Sequence, residues 1–358
     1  MSKVHVIAMD THSQTSDVCV KTRANVPGKR YRVKTTIPEL VAVIEQVPRP
    51  RELVLEEGPL ADWLLRNLRA HVDKAQACDP RKNALIAKDG DKDDPIDAGK
   101  LADLYLGGYT KAVYHSGSLA RQVAKQAVGL YHDRVAHRVA QGNKVSGLFK
   151  CWGVMVKEKD FQKPAQREAL LAALGDAPEA RAAAGHVRLL WRSYDAAAAE
   201  EAAMHQELVK LAKQQEVVVR WQQVPGIGWI RAMTLYAYVD TPWRFKGKRK
   251  LWKYLGIGLV REHSGSGRTR VHVHRGASRV LKNVIIGAAE TVIMHKKGVL
   301  YRRYEQWCQA GLSYKNARRN VARDIATAMW AMWKSGADFD EQWLGGKPAE
   351  ALTEGGRL

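Results

Sequence analysis

Residues 4–9 are apolar apart from His5, and the run stops at Asp10. That is the pattern of a buried strand delivering one polar residue to a sheet edge. Two more strands are expected at 17–23 and 30–36, with Pro27-Gly28 between them at hairpin spacing. Pro38 then opens a helix through Leu40, Val41, Val43 and Ile44. The short apolar run Leu53-Val54-Leu55 ends in Glu56-Glu57-Gly58, and Leu60, Trp63, Leu64 and Leu68 place a following helix on one apolar face. A fifth strand is expected at 74–78. Three strands in succession, then strand and helix in alternation, predict a mixed sheet covered by helices, compatible with an RNase H-like fold, over residues 1–110.

From 111 to 220 the signal is helical and basic. Apolar positions recur at helical spacing over 119–149, and 179–213 is alanine-rich with few breakers, so a helical hairpin or coiled-coil-like dimerisation arm is expected. A third, mainly helical unit at 221–335 starts at Val224-Pro225-Gly226-Ile227-Gly228, with a basic loop region before its later helices. Residues 336–358, rich in Gly, Glu and Lys, read as a flexible tail.

Composition narrows the function. The 358 residues are 46% hydrophobic, enough for a sizeable core, and 58 Lys and Arg against 37 Asp and Glu give a net charge of +21. Such an excess points to a polyanionic partner. No stretch reaches the roughly 18 apolar residues of a membrane span, and the N-terminus lacks the apolar run of a signal peptide. A soluble, cytoplasmic protein is expected. Cys19, Cys78, Cys151 and Cys308 form no Cys-x-x-Cys pair and are expected to be reduced core residues.

The acids form the sharpest constellation. Asp10 and Glu56 close two strands, and Asp94 and Asp97 stand three apart at a helix start in Lys92-Asp93-Asp94-Pro95-Ile96-Asp97-Ala98, sharing one helix face. Four carboxylates gathered at one sheet edge repel one another unless divalent cations lie between them, and hard oxygen ligands suit Mg²⁺ or Mn²⁺ with phosphate oxygens completing the shell. Asp94-Pro95 is equally a helix cap followed by proline at the first position. Glu57 competes with Glu56, because adjacent strand residues face opposite ways.

Residues 241–282 hold twelve Lys or Arg (Arg244, Lys246, Lys248, Arg249, Lys250, Lys253, Arg261, Arg268, Arg270, Arg275, Arg279, Lys282) against one acid, Glu262. That density is the footprint of phosphate-backbone contact, with Trp243, Trp252 and Tyr254 interleaved as candidate base-stacking surfaces. Within it lies His263-Ser264-Gly265-Ser266-Gly267-Arg268, where a serine hydroxyl between glycines and guanidinium groups could approach a phosphate. Ser264 is the first candidate nucleophile and Ser266 the alternative. A flexible loop explains the same residues.

These motifs together resemble the transposases of the insertion-sequence-110 family, DEDD-type recombinases guided by a bridge RNA and related to the Piv DNA invertases. The resemblance runs through Ala8-Met9-Asp10, Leu55-Glu56-Glu57-Gly58-Pro59, Cys78-Asp79-Pro80-Arg81-Lys82-Asn83 and the Asp94/Asp97 motif, the family's RuvC-like domain. It continues through Val224-Pro225-Gly226, Tyr254-Leu255-Gly256-Ile257-Gly258-Leu259, the Ser264 segment, Leu281-Lys282-Asn283 and Gly287-Ala288-Ala289, its transposase domain. The resemblance implies Mg²⁺ held by Asp10, Glu56, Asp94 and Asp97, and a covalent phosphoserine formed by Ser264. It implies donor and target double-stranded DNA, a structured noncoding guide RNA, and a dimer or tetramer whose protomers build composite sites. Two other classes fit parts of the pattern: a RuvC-like junction nuclease using metal-activated water, and a noncatalytic RNA-binding protein.

Overall fold

Strand β1 (His5–Thr11) lies inside a six-stranded sheet of order β3-β2-β1-β4-β5-β6, formed with β2 (Thr15–Lys21), β3 (Lys29–Lys34), β4 (Arg51–Glu56), β5 (Lys74–Cys78) and β6 (Ala112–Val113). β2 and β6 run antiparallel to their neighbours, whereas β1, β4 and β5 are parallel. The computed structural model describes residues 3–80, 94–263, 269–273 and 276–344. They divide into two compact units, Met1–Ser118 and Leu119–Leu358.

In the first unit the period-two alternation of the strands sorts residues onto two covered faces. Ile7, Met9, Leu53 and Leu55 pack with Leu40 and Ile44 of α1 (Ile37–Glu45) and with Leu64, Leu65 and Leu68 of α2 (Ala61–Leu68). Val6, Ala8, Val54 and Cys78 face the other way and meet Leu101 and Ala102 of α3 (Asp94–Leu106). The near-continuous apolar reading of β1 and β4 thus has its cause, a sheet covered on both sides. At the C-terminal end of α3, Lys21 Nζ donates to Asp103 at 2.7 Å, and the Tyr105 hydroxyl donates to Glu52.

In the second unit, α4 (Leu119–Cys151) and α7 (Pro178–Lys213) form an antiparallel hairpin, with the short helices α5 (Glu158–Phe161) and α6 (Arg167–Ala172) between them. Arg134 pairs with Glu200 and Arg138 with Glu201 along it. Phe149, Phe161, Trp191 and Tyr194 close a small core at one end. Ala124, Ala127, Val128, Leu208 and Ala212 at the other end enter the large core of the C-terminal helices. Those are α8 (Glu216–Arg220), α9 (Trp229–Val239), α10 (Lys248–Tyr254), α11 (Arg279–His295), α12 (Gly298–Gln309) and α13 (Tyr314–Ser335).

Three expectations need correction. The basic region carries an antiparallel hairpin, β7 (Leu259–His263) with β8 (Thr269–Val273), where a loop was expected. The segment after 335 is docked as far as Leu344, which is buried and whose carbonyl accepts from Arg303 Nη1 at 2.5 Å; residues 345–358 lie outside the described residues. Cys19 and Cys78 are buried core thiols with pKa values raised by burial, but Cys151 is exposed at the end of α4 and Cys308 is half-buried. Among the described residues no helix is long and apolar enough to cross a membrane.

Candidate functional site

Asp10 and Glu56 leave the sheet at the same level. β1 and β4 are parallel and in register at Met9 and Leu55, so the next residues, Asp10 and Glu56, stand side by side. Both belong to the alternation of Ala8 and Val54, the face covered by α3. Asp10 is partly buried, with Oδ2 3.4 Å from His12 Nε2, and Glu56 is exposed.

The helix brings its acids to that level from the opposite direction. Tyr105 binds Glu52 at the start of β4, and Asp103 binds Lys21, which pairs with Val6. From Tyr105 back to Asp97 the helix rises about 12 Å, and from Glu52 on to Glu56 the strand advances about 13 Å. From Asp103 to Asp94 the helix rises about 13 Å, matching about 13 Å from Val6 to Asp10. On these rises the start of α3 falls at about the level of the β1 and β4 ends. Asp97 is exposed there; the side chain of Asp94, like Asp91 and Asp93, lies outside the described residues.

Sequence reasoning missed a fifth carboxylate. Asp17 is the direct cross-strand partner of Asp10 and therefore shares its face. It is buried, with Oδ2 3.8 Å from Arg32 Nε and without a hydrogen-bond partner among the described residues. The available signal was the apolar stretch Val18-Cys19-Val20 directly after it, which makes Asp17 a polar residue entering a buried strand.

Glu57 takes the other direction. Its Oε2 lies 2.6 Å from His115 Nε2, while His115 Nδ1 lies 3.3 Å from Asp62 Oδ1. The hydrogen bond to Glu57 raises the His115 pKa, against the opposing effect of burial.

The donor set on the α3 face is oxygen-only and open to solvent at Glu56 and Asp97, which suits a hard cation that retains water. Asp17 Oδ2, buried beside Asp10, has its Arg32 ion pair but no hydrogen bond among the described residues. Among the described residues no three His, Cys, Asp or Glu side chains close into a metal-holding group. Asp10 and Glu56 thus share a face and a level beneath α3, without forming a finished ligand sphere.

In the second unit, Lys246, Lys248, Arg249 and Lys250 are exposed just before and within α10, Arg261 is exposed on β7, and Arg279 and Lys282 are exposed at the start of α11. Lys253 is half-buried. Arg244 serves its own chain, donating through Nη1 to the Tyr238 carbonyl at 3.1 Å and to the Tyr254 hydroxyl at 3.2 Å. Ser264, Ser266, Arg268 and Arg275 lie outside the described residues, as does the Arg270 side chain; Ser264 directly follows β7. The turn at Gly226 is a packing device: its φ is +82°, and the Gly226 carbonyl accepts from Arg231 Nη1 at 2.7 Å. Arg319 and Arg323 on α13 were not singled out from the sequence. Burial pushes the Arg323 pKa down to about 10, its Nε donates to the Ile257 carbonyl just before β7, and Nη2 is buried without a hydrogen-bond partner among the described residues.

Comparison with known proteins bears on both units. Residues 220–305 match the family model described as Transposase IS116/IS110/IS902 family. The chain is similar to y4pF/y4sB of Sinorhizobium fredii, a protein named as a transposase, at 22% identity over 313 residues, covering 86% of this chain and 79% of that protein. It is also similar to the transposase for insertion sequence element IS1111A of Coxiella burnetii, at 24% identity over 249 residues, covering 67% of this chain and 66% of that protein.

Proposed function

We propose that this chain, an insertion-sequence transposase by its match to the IS116/IS110/IS902 family model and its similarity to two transposases, cleaves and rejoins DNA through a covalent phosphoserine. Ser264 is the nucleophile, and Asp10, Glu56, Asp94 and Asp97 are the divalent-cation ligands. The observation that carries this reading is that Asp10 and Glu56 stand side by side at the ends of β1 and β4, on the sheet face covered by α3, the helix that starts with Asp94 and Asp97. The strand order β3-β2-β1-β4-β5 with β2 reversed supports an RNase H-like, RuvC-type unit.

Mg²⁺ or Mn²⁺ bound among these carboxylates would neutralise the charge that builds on the phosphate oxygens during displacement. The protein's own part begins with the Ser264 hydroxyl, whose oxygen bonds to phosphorus as the O–P bond to the leaving deoxyribose breaks; the proton serine gives up to solvent is matched by one taken up from solvent by the departing deoxyribose oxygen, which leaves as a hydroxyl. Reversing the displacement with the hydroxyl of a second DNA end restores the serine. One phosphodiester is exchanged for another, so no nucleotide cofactor is consumed. Exposed Lys246, Lys248, Arg249, Lys250 and Arg279 hold flanking phosphates as point charges.

The partners are donor and target duplex DNA and a structured noncoding guide RNA, and the working form is a dimer or tetramer. The charge of +21 supports the nucleic acids. Leu119, Val123 and Leu130, spaced to one face of α4 and exposed, support self-association through the helical hairpin.

The test is to trap DNA on the protein. Wild type with Mg²⁺ and donor DNA is expected to give a covalent adduct on a denaturing gel. Ser264→Ala should abolish it, Ser266→Ala should retain it, and Asp10→Asn should cut its rate by about 10³-fold or more while leaving DNA binding intact. Strand cleavage at the wild-type rate by both serine variants would overturn the phosphoserine in favour of metal-activated water.

A further inference from the structure

Three aromatic residues interleave the basic segment, and they meet different fates. Trp252 is half-buried, its Nε1 donates to Thr327 Oγ1 at 3.1 Å, and Lys248 and Arg323 lie 5.8 and 5.6 Å from its ring centroid. The Tyr254 hydroxyl donates to the Tyr238 carbonyl at 2.8 Å, and its ring lies under Arg244 and against Phe245. Trp243 is 71% exposed.

That exposure is built on a fixed backbone. Trp243 sits in a 3₁₀ turn, Pro242–Arg244, capped by Thr241, whose side chain accepts from the Trp243 amide. Pro242 is buried, and its carbonyl accepts from Trp330 Nε1 at 2.8 Å. Lys334 Nζ lies 3.9 Å from the Trp330 ring centroid and 4.9 Å from that of Trp243, so a cation stands beside the exposed indole. Lys246, Lys248, Arg249 and Lys250 follow within seven residues, all exposed. A large flat π-face presented to solvent on a rigid turn, with Lys334 beside it and four exposed cations following within seven residues, matches a nucleotide, with base on ring and phosphates on cations.

We propose that Trp243 is a stacking platform for an unpaired nucleobase, with Lys334 and the Lys246 to Lys250 cations gripping the adjoining phosphates. Bases in a closed duplex have both faces occupied by their neighbours. The ligand is therefore a single strand or an extruded nucleotide, from DNA or from RNA. The inference deepens the transposase reading by giving the protein a site for unpaired strand. It makes no use of Ser264 or the carboxylates.

The experiment uses the full chain without divalent cation, so that binding is read without cleavage. Anisotropy is measured with fluorescein-labelled 12-mers of single-stranded DNA, single-stranded RNA and blunt duplex DNA. Trp243→Ala should weaken binding of at least one single strand by about 5- to 150-fold, leave the duplex unchanged, and lose the advantage of the intact strand over an abasic one. Trp243→Phe should retain most of the affinity. The emission difference between wild type and Trp243→Phe should be quenched by the strand that binds. The DNA and RNA arms identify the source of the base. Equal losses on duplex and single strand, or no loss with either single strand, would overturn the platform. Failure of the covalent-adduct test above would leave these binding results standing.

Discussion

Glu56 and Glu57 are consecutive carboxylates with different surroundings. Glu56 shares the α3 face with Asp10, whereas Glu57 is bound to His115, whose second nitrogen faces Asp62. The divergence follows from strand alternation and was readable in the sequence; the partner of Glu57, 58 residues further on, was not. His115 has its pKa raised above the ordinary 6.5 by Glu57. A group whose folded pKa is raised contributes stability that is fully present below the unfolded value and lost as pH climbs through the folded one. Wild type should therefore exceed His115→Gln by about 1–2 kcal/mol near pH 5.5, with the gap closing toward pH 9. Thermal unfolding across that range checks it; a pH-independent gap would sink the ionic account. Asp17 shows what local pattern conceals: its register opposite Asp10 depends on how β2 pairs, and adjacent apolar residues disguise it as part of the core.

At the scale of elements, long helices and buried strands were legible because each carries a strong period. The β7–β8 hairpin was not. Among the described residues, Leu259 is 46% exposed, Val271 is 53% exposed and none of the hairpin's side chains is fully buried, so the buried side that produces a strong period-two alternation is weak here. Its basic residues suggested a loop for the same reason. Glycine placement shows the opposite dependence on context. A Cβ on Gly226 would sit 2.3 Å from the Ala288 carbonyl oxygen, at a φ of +82°. Gly226→Ala should destabilise the second unit by about 2–4 kcal/mol, combining overpacking with backbone strain. Gly185, inside α7 with nothing within 4 Å of its ideal Cβ, should behave oppositely: Gly185→Ala should gain about 0.5–1 kcal/mol of stability. Denaturant titration of both variants reads the pair. A neutral Gly226→Ala would mean that α11 gives way at Ala288.

For the whole molecule, the charge of +21 sets the partner class and the form of its binding. With on the order of 6–10 phosphates contacted, affinity for duplex DNA should fall about 10³- to 10⁵-fold between about 50 and 200 mM salt. Anisotropy titrations at several salt concentrations should give a linear log–log plot; a slope near zero would remove the backbone-contact reading. Composition and periodicity alone determined that the chain has enough apolar residues for a core, that a mixed sheet is followed by helices, that its charge favours a polyanion, and that Asp10, Glu56, Asp94 and Asp97 fall at strand ends and a helix start. These are properties of short windows and of totals, which a linear string preserves. Only the tertiary structure decided that α3 covers the sheet face that carries Asp10 and Glu56, and that Asp17 pairs across from Asp10. It also decided that Arg244 is occupied by its own chain while Trp243 stands exposed. Each of these depends on pairing register or on packing between residues tens of positions apart, and many arrangements share the same local pattern until the core selects one.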